Sequence, residues 1–267
     1  MKKFLTASIL TGALLFNTTS TLAQDRETIY QVALLQSLTM GYFDGSITVE
    51  DLKTHGDTGI GTFEGLDGEM IILDGVVYRA DQNGKIHVVK DKVTVPFSNV
   101  TFFDKDFSAD LIGMRNKNQL EESLTNLLSA QNIENTFYMV KIHGSFDEIL
   151  IRSEKGQKKP YPTLVEALQA TQKEFTLKNV EGTIVGLYCP DFASSINSTG
   201  WHFHFITDDK KIGGHVLDLN LAEGEAQFDR TDNFSMILPT KNNFHDLNFS
   251  QDLKEDIRKA EQDSMQK

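Results

Sequence analysis

Residues 200–207 read Gly-Trp-His-Phe-His-Phe-Ile-Thr, so aromatic and histidine side chains alternate along the chain. Because successive side chains of a β-strand point to opposite faces, this pattern predicts a strand with three aromatic rings on one face and the imidazoles of His202 and His204 on the other. The polar run at 208–211 predicts a turn, and a hairpin centred there places His215 directly opposite His204. The sequence therefore predicts that three imidazoles meet on one face of a hairpin.

Three neutral imidazoles on a rigid sheet face are a ligand set for zinc or a similar divalent ion, with a fourth position left open for water or substrate. An open position is typical of a catalytic site. We therefore predict a metal site at His202, His204 and His215. The other histidines are interpreted as surface or core residues: His55, His87, His143 and His245.

Working outward from the hairpin, the sequence predicts an α+β protein with two sheet-bearing lobes of mostly antiparallel or mixed strands and flanking helices. Short β-rich runs separated by Asp74-Gly75 and Asn83-Gly84 predict a meander of antiparallel strands between residues 59 and 95. Further strands are predicted at 136–142 and 148–152. Helices are predicted at about 27–40, 48–55, 119–129, 164–175 and 250–263.

A polar loop at 154–162, which carries one Gly, three Lys and two Pro, predicts the boundary between the lobes. The predicted N-terminal α+β lobe covers residues 24–155. The predicted C-terminal lobe covers residues 156–267 and holds the metal hairpin and the terminal helix.

The first 23 residues have the pattern of a secretory signal peptide. Lys2 and Lys3 precede an apolar run, and the small residues before Gln24 predict cleavage near Ala23. The mature protein is therefore expected to be secreted, extracellular and free of the membrane.

Charge and cysteine content exclude two further classes. The chain has 26 basic and 38 acidic residues, a net charge of −12, which argues against a nucleic-acid partner. Cys189 is the only cysteine, so no intramolecular disulfide can form, and its apolar surroundings predict a buried core residue rather than a nucleophile.

The residues around the hairpin resemble a known family. The matching stretches are Gly200-Trp201-His202-Phe203-His204-Phe205, Gly213-Gly214-His215-Val216, Gly59-Ile60-Gly61-Thr62-Phe63, Leu66-Asp67-Gly68-Glu69, Arg152, Pro160-Tyr161-Pro162 and Gly182-Thr183-Ile184-Val185-Gly186. Together they resemble the pattern of the alpha-acetolactate decarboxylases over about residues 29–261. The sequence departs from the pattern at Trp201, where tyrosine is more usual, and in the polar stretch Ser153–Lys159.

The resemblance implies a zinc enzyme, with one ion per chain, that converts the small molecule 2-acetolactate to acetoin and carbon dioxide. It implies that the three histidines bind the ion, that Glu69, Arg152 and a C-terminal glutamate approach it, and that Thr62 lines the pocket. Spacing favours Glu261 over Glu255 as that glutamate. The resemblance also implies a homodimer. A divalent ion other than zinc is an alternative occupant of the site.

The chemistry of acetolactate agrees with this residue set. Loss of carbon dioxide leaves electrons that settle as an enediolate, and a metal that chelates the hydroxyl and ketone oxygens would stabilise the charge. No pyridoxal or thiamine cofactor is then required. Arg152 offers a planar fork to a carboxylate or to the enediolate, and a glutamate can protonate the new carbon.

Two other functions fit the same histidines. A cupin-like metal oxygenase or hydrolase can also carry H-x-H with a distant histidine on a β scaffold. A non-catalytic extracellular zinc-binding protein is the other alternative, although it would favour an exposed His-rich tract.

Overall fold

The computed structural model describes residues 25–130, 135–194, 196–240 and 242–262. The predicted signal peptide lies outside these residues. Within them, no helix has both the length and the apolar character needed to cross a membrane. The chain is an α+β protein, as predicted.

Strands dominate the described residues. In chain order the strands are β1 Thr28–Val32, β2 Ile47–Thr48, β3 Thr58–Thr62, β4 Glu69–Leu73, β5 Val76–Ala80, β6 Ile86–Val88, β7 Thr94–Val95, β8 Phe97–Thr101, β9 Phe107–Met114, β10 Phe137–Ser153, β11 Lys173–Cys189, β12 Gly200–Thr207, β13 Gly213–Thr231 and β14 Asn233–Ile237. The α-helices are α1 Leu35–Thr39, α2 Val49–Leu52, α3 Lys117–Ser129, α4 Leu164–Thr171 and α5 Lys254–Gln262, and short 3-10 turns lie at Asp191–Ala193 and Asn242–Asp246.

These strands form two main sheets. The first has seven strands in the order β14-β1-β8-β3-β4-β5-β6, and the second has five in the order β10-β11-β12-β13-β9. Strand β13 also pairs with β10, so that β10, β11, β12 and β13 form a closed ring of pairings. Neighbouring strands are antiparallel except for β1 and β14.

The sheets do not follow the predicted division after residue 155. Strands β9 and β10 precede that residue but belong to the second sheet, whereas β14 follows it but joins the first. Long-range strand pairing, which no local sequence signal reports, decides sheet membership here.

The predicted meander is present in the first sheet as β3, β4, β5 and β6. Asp74 and Gly75 both have positive φ, 50° and 79°, as a two-residue hairpin turn of type I′ requires. The helix predicted at 48–55 is present as α2 but ends at Leu52, and Thr48 caps it by accepting a hydrogen bond from the Asp51 amide.

The predicted helix at 27–40 is wrong in its first half. Residues 28–32 form β1, which lies between β8 and β14, and helix begins only at Leu35. The segment is rich in β-branched and aromatic residues, and pairing on both sides overrides its helical periodicity. Ala33, with a φ of 58°, turns the chain between the two elements.

Two other boundaries also differ from the prediction. The strands predicted at 136–142 and 148–152 are a single strand, β10, which runs through register shifts near Phe146. The helix predicted at 164–175 ends at Thr171, because Lys173 already pairs with Ser153 as the start of β11. The helix predicted at 119–129 is confirmed as α3, and the terminal helix as α5.

The side chains of β12 point alternately into two different parts of the protein interior, one on each face of the strand. Trp201, Phe203 and Phe205 pack among the strands of the second sheet and against leucines of α3. The opposite face of β12 meets the first sheet, where Ile206 joins an apolar cluster that includes Ile71 of β4. Helices α1, α4 and α5 form a third cluster beside this junction. The histidine face is therefore enclosed.

Asp229 is a buried carboxyl near the C-terminal end of β13. His215 lies near the other end of this strand. It is 1% exposed, and no group in the described part of the chain donates a hydrogen bond to its Oδ2. Burial, together with the negative charges of Asp106, Glu27 and Asp104, raises the pKa of Asp229 from 3.8 to about 8. The ionised form of this side chain therefore destabilises the fold.

We expect Asp229→Asn to stabilise the protein in a pH-dependent manner. A carboxyl whose pKa is higher in the folded state binds its proton more tightly there, so the wild-type protein loses stability as the pH rises from about 4 to about 8. The free energy of unfolding of the variant should match wild type near pH 4 and exceed it by on the order of 2–5 kcal/mol near pH 7.5. Urea titrations at several pH values measure this difference, and a pH-independent difference contradicts the assignment.

Candidate metal centre and active site

A row of residues on three neighbouring strands builds the site. Arg152 at the end of β10 pairs with His215 at the start of β13, and His215 pairs on its other side with His204 of β12. This confirms the predicted pairing of His204 with His215. Gly214 permits the close approach, because a Cβ atom at that position would lie 2.4 Å from the carbonyl oxygen of Arg152.

The three histidines converge as the hairpin predicts. His202 Nε2 lies 3.1 Å from His204 Nε2 and 3.1 Å from His215 Nδ1. One nitrogen from each ring lies within 4.8 Å of the others, and this is the one cluster of its kind among the described residues. The histidines form a triad that could bind a metal ion.

Two backbone carbonyls orient the rings. His204 Nδ1 lies 2.7 Å from the carbonyl oxygen of Met70, and His215 Nε2 lies 2.8 Å from that of Glu261. A carbonyl accepts only, so each of these nitrogens carries the proton. His204 Nε2 and His215 Nδ1 are then left with lone pairs directed at the centre, as metal ligation requires.

Burial keeps the triad neutral. It lowers the pKa of His202 to about 3 and that of His204 to about 4, and it lowers the pKa of His215 well below its ordinary value. The positive charges of Arg152 and Lys117 add to the effect at His202. Unprotonated imidazoles that crowd their lone pairs together favour a cation between them.

Two carboxylates flank the triad, as the resemblance implies. Glu69 opens β4, and its Oε2 lies 3.4 Å from His204 Nε2. Glu261, on α5, places its Oε2 3.3 Å from His202 Nε2 and is 7% exposed. Glu255 instead lies on the exposed side of α5, where it pairs with Arg258. The structure thus brings Glu261, and not Glu255, to the triad.

Arg152 is buried between strand β4 and helix α5. Its Nη1 donates to Glu69 Oε1 at 3.0 Å, and its Nη2 donates to the carbonyl oxygen of Ala260 at 2.9 Å. It is 4% exposed, so it is not a solvated surface residue. The pKa of Glu69 is raised to about 8 by burial and by Glu154, against the opposing charge of Arg152.

Thr62 also lies where the sequence predicts. It pairs with Glu69 across β3 and β4, so the two side chains share a face of the first sheet. Its hydroxyl donates to the carbonyl oxygen of Gly68 at 2.9 Å. Thr62 lines the cavity at the triad, whose other wall is apolar and includes Leu38, Leu164 and Leu168.

Sequence reasoning missed two charged residues. Glu154 is 1% exposed and lines the same cavity, with its Oε2 3.4 Å from Arg152 Nη1. Lys117, at the start of α3, is buried and bears electrostatically on His202, His215 and Glu261. Glu154 directly follows the last residue of β10, in the stretch predicted as a polar loop, so no strand periodicity marked it. Nothing local marks Lys117.

Cys189 and the histidines His55, His87 and His143 lie outside the triad, as the sequence predicts. Cys189 is buried, and desolvation raises the pKa of its thiol to about 12, so it is not a reactive nucleophile. His55 stacks on Tyr30, and His87 contacts Asp81, away from the triad. His143 lies beside Asp208 on the surface.

Comparison with known proteins finds consistent matches. The family model for alpha-acetolactate decarboxylase matches residues 29–251. An alpha-acetolactate decarboxylase of Methanosarcina mazei is 41% identical over 88% of this chain and 80% of its own, and one of Brevibacillus brevis is 35% identical over 88% and 81%. The crystal structure of alpha-acetolactate decarboxylase from Bacillus subtilis strain 168 superimposes with a TM-score of 0.84 at 34% identity, covering 88% of this chain and all of that one.

Proposed function

The chain belongs to the alpha-acetolactate decarboxylase family, which makes it a carboxy-lyase, and we propose that it decarboxylates 2-acetolactate at a divalent ion held by His202, His204 and His215. The observation that carries the proposal is the convergence of three neutral imidazoles, three carboxyl groups and a buried arginine on one cavity. Family membership decides against the oxygenase, hydrolase and non-catalytic alternatives.

The donor set fits zinc. Three neutral nitrogen ligands, with room for oxygen ligands, are the usual surroundings of catalytic zinc. Two of the rings are oriented by the carbonyl groups of Met70 and Glu261, which is the outer-shell support that such ligands need. The bound ion supplies Lewis-acid stabilisation of the negative charge that develops on the substrate oxygens.

Arg152 is proposed to bind the substrate carboxylate or the enediolate. It is the cation that lines the cavity within the described residues, and its planar fork matches a carboxylate. A low-dielectric wall of leucines strengthens the interaction. Thr62, which lines the same cavity, is proposed to contribute to its shape and polarity.

Protonation of the new carbon is proposed to come from Glu261. After carbon dioxide leaves, the enediolate takes one proton at the carbon that carried the carboxylate, and acetoin forms. Glu69 has one carboxyl oxygen, Oε1, already held by Arg152 Nη1 at 3.0 Å. No arginine or lysine forms an ion pair with the Glu261 carboxylate among the described residues. Glu69 then helps to hold Arg152 and faces His204.

Export and assembly are also proposed. The signal pattern of residues 1–23 supports secretion after cleavage near Ala23, which mass spectrometry of the mature N-terminus can test. The family resemblance supports a homodimer, which light scattering of the purified enzyme can test.

The purified protein should contain about one zinc or other divalent ion per chain, and His204→Ala should lose both the ion and acetoin formation, because the ring is a ligand in the buried cluster. Elemental analysis and an acetoin assay measure the two properties. His143→Ala, on the surface, is the control and should keep both. Full metal occupancy in a variant with all three triad histidines changed to alanine would refute the site.

Arg152→Ala should lower kcat by about a hundredfold, which corresponds to roughly 3 kcal/mol of lost charge-assisted contact. Arg152→Lys should recover only a small part, because it restores the charge without the fork. Arg230→Ala, which removes a surface arginine that pairs with Asp232, should be near normal. Steady-state kinetics on the metal-loaded enzyme measure these effects. A normal kcat/KM for Arg152→Ala would contradict the proposed role of Arg152 in binding the substrate carboxylate or the enediolate.

Glu261→Gln should lower kcat by about 10²- to 10⁴-fold, the usual contribution of a proton donor, while the fold is retained. Glu255→Gln, on the exposed face of the same helix, should leave turnover unchanged. Deletion of the residues after Lys254 should likewise abolish turnover, and it should also weaken metal binding, because it removes the carbonyl group of Glu261 that orients His215. Wild-type rates in the truncated enzyme would show that the terminal helix has no catalytic part.

A further inference from the structure

Glu154 is a buried carboxylate beside the active-site arginine, and the reaction as proposed above gives it no part. It directly follows the last residue of β10 and lines the same cavity as the histidine triad. Its role is therefore to be found in its own contacts.

The contacts of Arg152 account for most of its donors. Nη1 is shared between Glu69 Oε1 at 3.0 Å and Glu154 Oε2 at 3.4 Å, and Nη2 donates to the carbonyl oxygen of Ala260 at 2.9 Å. Nε has no partner among the described residues. Since a guanidinium has five N–H groups, the Nε–H and one Nη2–H are left over.

The contacts on Nη1 fix which donors stay free. Two carboxylates from different elements, Glu69 on β4 and Glu154 after β10, hold the same nitrogen, so the guanidinium cannot rotate without breaking one contact. The Nε–H and Nη2–H are the pair that can bind a carboxylate side-on. An arginine held in this way is preorganised for an anion.

We propose that Glu154 is a positioning residue for catalysis: by holding Nη1 together with Glu69, it orients the free edge of the Arg152 guanidinium towards the carboxylate of the substrate and the charge that replaces it. This inference rests on the proposed function. Glu154 acts through Arg152 and does not itself touch the triad.

The stability of the fold does not explain why a buried carboxylate stands at position 154. Its Oε1 is buried and accepts no hydrogen bond within the described residues, and an unpaired buried carboxylate oxygen costs free energy. A leucine at this position would remove the cost and extend the apolar wall formed by Leu66, Leu164 and Leu168. A purely structural residue would therefore be improved by the change, whereas a positioning residue would not.

The test compares Glu154→Leu, Glu154→Gln and Glu154→Asp with wild type in the acetoin assay on metal-loaded enzyme. Loss of the contact in Glu154→Leu should lower kcat by about 10- to 100-fold, the usual effect of an outer-shell partner, with KM little changed and metal content retained. Glu154→Gln should recover most of the activity, because its amide oxygen still accepts from Nη1. Glu154→Asp should not, because its side chain is one methylene shorter.

Asp229→Asn is the matched control, since it removes another buried carboxylate with an unpartnered oxygen and should leave kcat unchanged. The proposal is overturned by wild-type kcat in Glu154→Leu, by equal defects in the Leu and Gln variants, or by loss of metal from either. If Glu154→Leu does not fold, the ratio of kcat between the Gln and Asp variants decides. A wild-type enzyme that forms no acetoin would instead refute the proposed function itself.

Discussion

The pairing of His204 with His215 across one hairpin is the contact on which the rest of the site depends. It sets the register of β12 against β13, and β13 in turn sets the position of Arg152 on β10. A slip of one residue would turn His202 and His204 into the aromatic core and move Phe203 to the face of the triad. Burial of Trp201, Phe203 and Phe205 behind the sheet prevents such a slip. The hydrophobic face of β12 thus stabilises the face that carries the histidine triad.

The two sheets supply different residues to the site. The second sheet supplies the imidazoles and Arg152, while the first supplies Glu69, Thr62 and the carbonyl oxygen that orients His204. Helix α5 closes the third side with Glu261 and with two backbone carbonyls, one bound by Arg152 and one by His215. The geometry of the site is therefore sensitive to how these layers pack.

Charge balance explains why so many acidic groups can share a buried cavity. Glu69, Glu154 and Glu261 line the same cavity as Arg152, and burial raises the pKa of all three carboxyl groups, that of Glu69 to about 8 and that of Glu154 to about 6. Near neutral pH the lining therefore carries less negative charge than three carboxylates would give, and the charge of Arg152 offsets part of it. The cavity can thus accept an anion although the whole chain carries a charge of −12.

Local patterns in the sequence determined the hairpin, the faces of its side chains, the meander and most helices, because alternation, turn dipeptides and helical periodicity are properties of neighbouring residues. They also placed the three histidines, and the family resemblance added Glu69, Arg152, Thr62 and Glu261. Only the tertiary structure decided that residues 28–32 form a strand, that β10 is continuous, that Glu154 lines the cavity, and that the charge of Lys117 acts on His202. These features depend on partners far away in the chain, such as β14 for β1 and β13 for β10, and the free energy of such contacts leaves no periodic signal in the sequence.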